Sequence, residues 1–272
     1  MVFESIVNGV KAMPPLPESV VKVEKLFAQR NPSLSELIKI VESDSVLTAD
    51  ILAQVNSPLY SFSKKIISVH QAVTLFGMNA IRGLILSSMM KNSFVFDMSP
   101  YNISNTKFQE VSSLQSHFMF QWYMAINIEE ATLLIPIAFL METGKLIIAN
   151  EVSKSDYKEE FSRMIQEDDS IDETEKLFTG LSSSEVTALL FEHWNFNEIF
   201  VNIIKGSTNP SSVDDEYRKY SQALDIVKTL INVHEIITPK SIAKATKKAQ
   251  DYHFDVDKFE RTLKRVQKKL EL

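Results

Sequence analysis

Apolar residues recur at three- and four-residue spacing along nearly the whole chain, which is the period of an amphipathic helix and not of a strand. Glycine, the residue that most readily opens tight hairpins, occurs only six times in 272 residues. Together these features predict an all-α fold. The 44% hydrophobic content is enough for one substantial core or two modest ones, and nothing in the composition points to disorder.

Breaks in the pattern mark the expected helix ends. Prolines donate no helical hydrogen bond and restrict the residue before them, so MPPLP at residues 13–17 separates a short first helix from a second starting near Glu18. Ser33 and Glu36 have the spacing of a capping box. In SVLTADILAQV the apolar face of Val46, Leu47, Ile51, Leu52 and Val55 must stop at Asn56-Ser57-Pro58. Ser68 is the expected cap of a short helix ending at Gly77, where a positive φ would close the turn. Residues 94–104, irregular and containing Pro100, are the expected boundary between two helical layers. Residues 1–100 would form an N-terminal helical part, and residues 101–272 a bundle with a C-terminal helical extension.

Beyond that boundary the pattern predicts a helix from Asn105 to about Ile126 and a very apolar one over residues 129–150. After acidic helices come a helix capped by Ser183 or Ser184 and a long one from about Asp214 to Ile236. The last helix carries Phe259, Leu263, Val266 and Leu270 on one stripe and lysines and arginines elsewhere.

The formal net charge of −6 and pI near 5.5 argue against a chain-wide attraction to phosphate backbones, so nucleic acid is not an expected partner. The absence of cysteine excludes disulfides and thiolate metal sites. The N-terminus lacks the basic-then-apolar pattern of a signal, and the longest uninterrupted apolar run, residues 133–141, is too short to cross a bilayer. A cytoplasmic protein with no membrane partner is the expectation. Residues 159–175 are acidic and residues 240–269 basic; such blocks read first as solvated helix faces and second as docking surfaces.

Local chemistry is sparse. The five histidines (His70, His117, His193, His234 and His253) never fall within one helical turn of each other, so no local metal-binding pair exists. No cysteine nucleophile or G-x-S-x-G elbow is present. Gly144-Lys145 lacks the glycine spacing of a phosphate loop and sits in a helical pattern. Glu142 stands out because it interrupts an otherwise apolar helix. Buried there, it would need a partner, and Lys145 three residues on is within geometric reach.

The series MPPLPESV, VESDSVLTADILAQVNSPLY and SVHQAVTLFGMNAIRGLIL resembles, in order and spacing, the HDOD domain, a bacterial signalling module related to HD and HD-GYP phosphohydrolases. The resemblance covers about residues 13–208 and implies an N-terminal helical layer packed on an HD-like bundle. It makes Asn56, Ser57, Pro58 and Gly77 family-motif turn residues. The catalytic relatives carry Leu-Leu-His-Asp-Ile-Gly-Lys where this chain has Phe139-Leu140-Met141-Glu142-Thr143-Gly144-Lys145, so both metal-binding positions have changed. By the same resemblance an earlier ligand falls at Gln115 or His117, a later histidine at Ser183 or Ser184, and the final His-His near Gly206-Ser207. A thioether is a poor ligand for the hard divalent ions that activate water.

The first functional expectation is therefore a non-catalytic signalling module that presents a helical surface to a partner protein and carries no cofactor. His117, Met141 and Glu142 are then degenerate metal-site positions. The expected contact elements are the Asn56-Ser57-Pro58 turn, the segment from Gly77 to Arg82 and the basic C-terminal helix. Two alternatives stay open. One is a metal-dependent phosphohydrolase acting on a cyclic dinucleotide, with a site rebuilt from Glu142, His117 and nearby acids. The other is a sensor with a nucleotide ligand, in which Lys145 or Arg82 meets phosphate.

Overall fold

The computed structural model describes residues 2–57, 64–93, 97–167 and 170–270. Among them it holds sixteen α-helices, two three-residue 3-10 helices and no strand, as the helical period requires. The first six helices are α1 (Val2–Lys11), α2 (Glu18–Phe27), α3 (Leu34–Glu42), α4 (Ser45–Val55), α5 (Val69–Phe76) and α6 (Met78–Ser93). Next come α7 (Asn105–Tyr123), α8 (Ile128–Leu140), α9 (Gly144–Val152), α10 (Lys158–Glu167) and α11 (Ile171–Thr179). The chain finishes with α12 (Ser183–His193), α13 (Glu198–Lys205), α14 (Asp215–Leu230), α15 (Pro239–Asp251) and α16 (Val256–Leu270).

Side-chain caps set many of these ends. Ser33, Asp44 and Ser68 accept from the backbone N–H groups of Glu36, Leu47 and Gln71, and Gly77 closes α5 at φ +80°. Asn56 does more than stop α4. Its amide donates to the carbonyls of Leu52 (2.7 Å) and Ile66 (2.8 Å) and accepts from Ile66 N (2.8 Å), clamping the chain that returns to α5. Ser57 donates its backbone N–H to Gln54 O, while Pro58 lies outside the described residues.

Helices α2 to α6 pack on one another as the N-terminal layer, whereas α1 lies on α9, α11 and α12. Helix α8 is the pivot of the molecule, touching α6, α7, α13 and α14. Gly83 of α6 permits that approach: a Cβ there would meet the Pro136 side chain of α8 at 2.6 Å. The stretch Ile128–Val152 is long and apolar enough to cross a membrane by length and composition alone, yet 83% of its most apolar window is buried inside this fold.

Three sequence expectations are corrected. The apolar helix over residues 129–150 is broken at residues 141–143, where Thr143 N, Lys145 N and Leu146 N bond to carbonyls three residues back at 3.0 Å. The tightening brings Gly144 against α12, with its N–H donated to Thr187 Oγ1 at 2.7 Å. The cap of α12 is Ser182, neither Ser183 nor Ser184, because Glu185 at the third helical position completes a capping box with it. The long helix after Asp214 ends at Leu230, since Asn232 Oδ1 accepts from the N–H groups of His234 and Glu235 and folds the chain back on itself.

The amphipathic reading of α16 matches its packing. Phe259 is fully buried and sets its ring 5.6 Å from Phe118 and 5.3 Å from Trp122 of α7, while Arg261, Lys264, Arg265, Lys268 and Lys269 face out. His117 of α7 is buried too. Burial, reinforced by Lys269, holds its pKa down at about 4.

Two predictions follow from this packing. Gly144→Ala places a Cβ 2.1 Å from Ser183 O, so Gly144→Ala and Gly83→Ala should each lose about 2–3 kcal/mol in urea unfolding. Gly9→Ala, whose new Cβ would meet first the Cγ2 methyl of Ile147 at 3.3 Å, a contact that a shift of a few tenths of an ångström relieves, should lose well under half as much. His117 is neutral when folded and titrates near 6.5 when unfolded, so its contribution is complete above pH 6.5 and lost as pH falls toward about 4. Comparing unfolding at pH 7 and 5, His117→Gln should remove about 2 kcal/mol of the acid-side loss.

Candidate functional site

The break between α8 and α9 points Glu142 and Lys145 into the protein, where neither meets solvent: their side chains are 0% and 1% exposed. An isolated buried ammonium is costly, so its partners decide whether it stays charged. Lys145 Nζ donates to Glu175 Oε1 and to Ser183 Oγ, both at 2.8 Å, and lies 2.9 Å from Glu142 Oε2. Its position 5.6 Å from the centroid of the Tyr101 ring adds a favourable quadrupole contact.

The carboxylates are fixed in turn. Glu142 Oε1 accepts from Gln115 Nε2 (3.1 Å), and that amide also donates to Ile231 O (2.8 Å). Glu175 accepts from the Tyr101 hydroxyl (2.9 Å) and from the backbone N–H of Ser183. Three separate segments thus converge on one ammonium, the 3-10 turn holding Tyr101, α11 and the first turn of α12, and α7 joins them through Gln115 on Glu142.

Outward from this centre the charges alternate. Lys228 of α14 sits 2.7 Å from Asp172 and 3.2 Å from Thr208 Oγ1, and the Thr208 hydroxyl is 2.8 Å from that of Ser184. Asp225, one turn earlier on α14, takes Lys248 at 2.7 Å and the Tyr252 hydroxyl at 2.8 Å. Burial alone would raise the Glu142 carboxyl pKa, but Lys145 and Lys228 bring it below the ordinary value. Asp172 is lowered likewise, by Lys228 and Lys145 against burial. Burial would lower the Lys145 pKa, and Glu142, Glu175 and Asp172 reverse this and raise it. All three groups are ionised at neutral pH.

These residues form the wall of a half-open cleft of about 680 Å³, whose rim carries His234, Glu235, Lys240, Lys244 and Lys247. Met141 is completely buried and turns no hard donor toward it. Of the two α7 side chains in the uncertain register, Gln115 donates to Glu142, while the electrostatic influence on His117 comes from Lys269. Ser183 holds Lys145, Ser184 meets Thr208, and Ser207 is fully buried beside Gly206. Among the described residues no group of three or more His, Cys, Asp or Glu is arranged to hold a metal ion. The donor set does not fit the metal that the phosphohydrolase resemblance implies: a thioether replaces the histidine, and the carboxylate beside it is already neutralised by an ammonium.

Arg82 lies elsewhere, 8% exposed. Its guanidinium binds both carboxylate oxygens of Glu24, with Nε 2.7 Å from Oε1, and stacks between the rings of Phe27 (4.9 Å) and Phe200 (4.4 Å). It joins α2 to α13 across α6.

Glu175, Asp172 and Lys228 were not singled out by sequence reasoning. Lys228 and Asp225 interrupt the apolar run of α14 as Glu142 interrupts that of α8, so the same signal was present. Glu175 and Asp172 were hidden in an acidic block read as a solvated face. That reading is corrected here, since Glu175 is 0% exposed and Asp172 points at Lys228.

The model of the HDOD domain family matches residues 13–210. A Treponema pallidum (strain Nichols) protein, described as an uncharacterized protein, is 22% identical over 222 residues, which cover 79% of this chain and 41% of that one. The chain thus spans about two fifths of that relative's length. A crystal structure from Shewanella amazonensis SB2B that carries the name phosphohydrolase superposes with a TM-score of 0.71 at 18% identity, over 97% of this chain and 95% of that one. An HDOD domain protein from Geobacter sulfurreducens does so with a TM-score of 0.68 at 15% identity, over 98% of each chain. At such identities the two structures speak to the fold. With the family match running over most of its length, the chain belongs to the HDOD domain family.

Proposed function

We propose that this chain is a non-catalytic signal-transduction module of the HDOD type, placed in the cytoplasm, that acts by binding a partner protein. The observation carrying this reading is the changed donor set: a buried Met141 thioether stands where the resemblance puts a metal-binding histidine, and a hard divalent ion finds no ligand in it. Lys145, which the motif of the catalytic relatives also has, here pairs with the carboxylate beside Met141. Glu142 is thereby engaged in an internal ion pair instead of a coordination sphere. The exposed basic face of α16 is the contact element best placed for a partner, because Asn56 is committed to the fold and Arg82 is buried.

A second reading, a non-hydrolysing nucleotide sensor, is favoured by the lysine rim of the 680 Å³ cleft. Lys145 is held by Glu142 and Glu175, and Arg82 by Glu24, so phosphate contact in that reading falls to Lys247 and its rim neighbours. A ligand that binds only the folded state must raise the melting temperature. A panel of mono-, di- and cyclic dinucleotides that produces no shift would count against the sensor.

Metal content separates signalling from phosphodiester hydrolysis. Protein purified without chelator, then incubated with manganese, iron or magnesium and desalted, should retain almost no metal, and its melting temperature should not change with EDTA. Retention of about one or two tight ions per chain would reverse the reading and favour the phosphohydrolase. Removing one member of a buried ion pair leaves its partners uncompensated, so Lys145→Met should cost about 3–5 kcal/mol in urea unfolding. The triple variant Glu142→Gln, Lys145→Met, Glu175→Gln should recover at least half of that loss, which Lys145→Met alone cannot do.

A further inference from the structure

A second groove, of about 750 Å³, opens where the segment after α1, helices α2 and α6, and the α12–α13 joint meet. It shares no lining residue with the cleft at Lys145. Its walls are apolar and partly aromatic: Met13, Leu16 and Phe27 on one side, Trp194 on the other. Trp194 is held in place by its indole N–H, donated to Pro14 O at 3.1 Å, so this wall is tied across the groove by a bond between residues 180 apart in sequence.

The charges around the groove are unequal. Glu24 is the only carboxylate among its described lining residues, and both of its oxygens are taken by Arg82. Lys11 and Lys25 stand exposed at the rim, and neither pairs with a carboxylate among the described residues. Asn195, held at φ +55° where α12 gives way to α13, adds an exposed amide. The volume lies in the range of small-molecule sites, and an apolar cavity with a few convergent polar groups is their usual form.

We infer that this groove is a binding site for a small organic anion: a flat apolar body that lies between Phe27 and Trp194, with a carboxylate, sulfonate or phosphate directed at Lys11 and Lys25. The charge balance selects the anion. A cationic ligand would meet two unpaired lysines and a carboxylate already engaged. Because the walls come from α2 on one side and the α12–α13 joint on the other, the ligand would bridge the N-terminal layer and the bundle.

The probe is 1-anilinonaphthalene-8-sulfonate, with neutral N-phenyl-1-naphthylamine as its comparator. The chain has two tryptophans, so a ¹⁵N-labelled sample gives two indole N–H signals, and Trp194→Phe assigns them. The Trp194 signal should move and saturate at one probe per chain while that of Trp122 stays. Lys11→Glu with Lys25→Glu should weaken the sulfonate about tenfold without changing the circular dichroism or the melting temperature, and the neutral comparator should bind about as weakly as the sulfonate does to that variant. An unmoved Trp194 signal overturns the inference. So does equal sulfonate affinity in the charge-reversed protein, or equal affinity for the neutral comparator, which would leave an apolar patch without anion selectivity. If Trp194→Phe fails to fold, the two affinity comparisons still decide the matter. Neither outcome bears on the signalling reading, which rests on the other cleft.

Discussion

The interior is organised around one ammonium. Lys145 is the only cation that Glu142 and Glu175 contact within 4 Å among the described residues, so both depend on its place in the fold. Such a cluster is seldom a large net source of stability, because desolvation consumes most of the Coulombic gain. What it imposes is geometry. The ammonium has three donors, and its partners arrive from the α8–α9 turn, α11 and the first turn of α12, so a slip of any one element leaves a buried charge unanswered. Hydrophobic packing alone tolerates such slips more readily, since it is not directional.

The ammonium can reach its partners only because the backbones come unusually close. Gly144 lies where any side chain would collide with the Ser183 carbonyl, and the same residue gives its N–H to Thr187. The glycine and the lysine are therefore one device: the first lets α9 meet α12, and the second places a charge at the meeting point. Gly83 against Pro136 plays the corresponding part for the N-terminal layer, and Arg82 beside it plays the charged part with Glu24. In both places a small residue next to a buried cation ties together segments distant in sequence.

Most of the architecture was legible in the sequence because helical periodicity and capping residues are local signals. Ser33, Asn56, Ser68 and Gly77 each act close to home, and each ends or begins a helix where its chemistry requires. The α8–α9 break was not legible, since its cause is the approach of Thr187, forty-three residues on. The end of α14 at Leu230 depends on Asn232 bonding forward, a choice that an apolar pattern running through Ile231 and Val233 conceals. In the site, the Glu142–Lys145 pair was visible as charge inside an apolar helix. Glu175 and Asp172 were not, because an acidic stretch looks the same whether its carboxylates face water or a lysine of another helix.

A general rule for ligand recognition follows from this chain. Its buried cations Lys145, Lys228 and Arg82 already have carboxylate partners, so a phosphate would have to displace one, and at Lys145 those partners are fixed by further hydrogen bonds and would be left buried and unpaired. That exchange is unfavourable at Glu142, because burial disfavours its charge and the Lys145 contact that offsets burial would be lost. Recognition of an anion must then rely on lysines at groove rims, where partial solvation weakens each contact and specificity comes from the shape of the apolar wall behind it. An ion-paired core of this kind thus moves binding from the middle of the bundle to its edges.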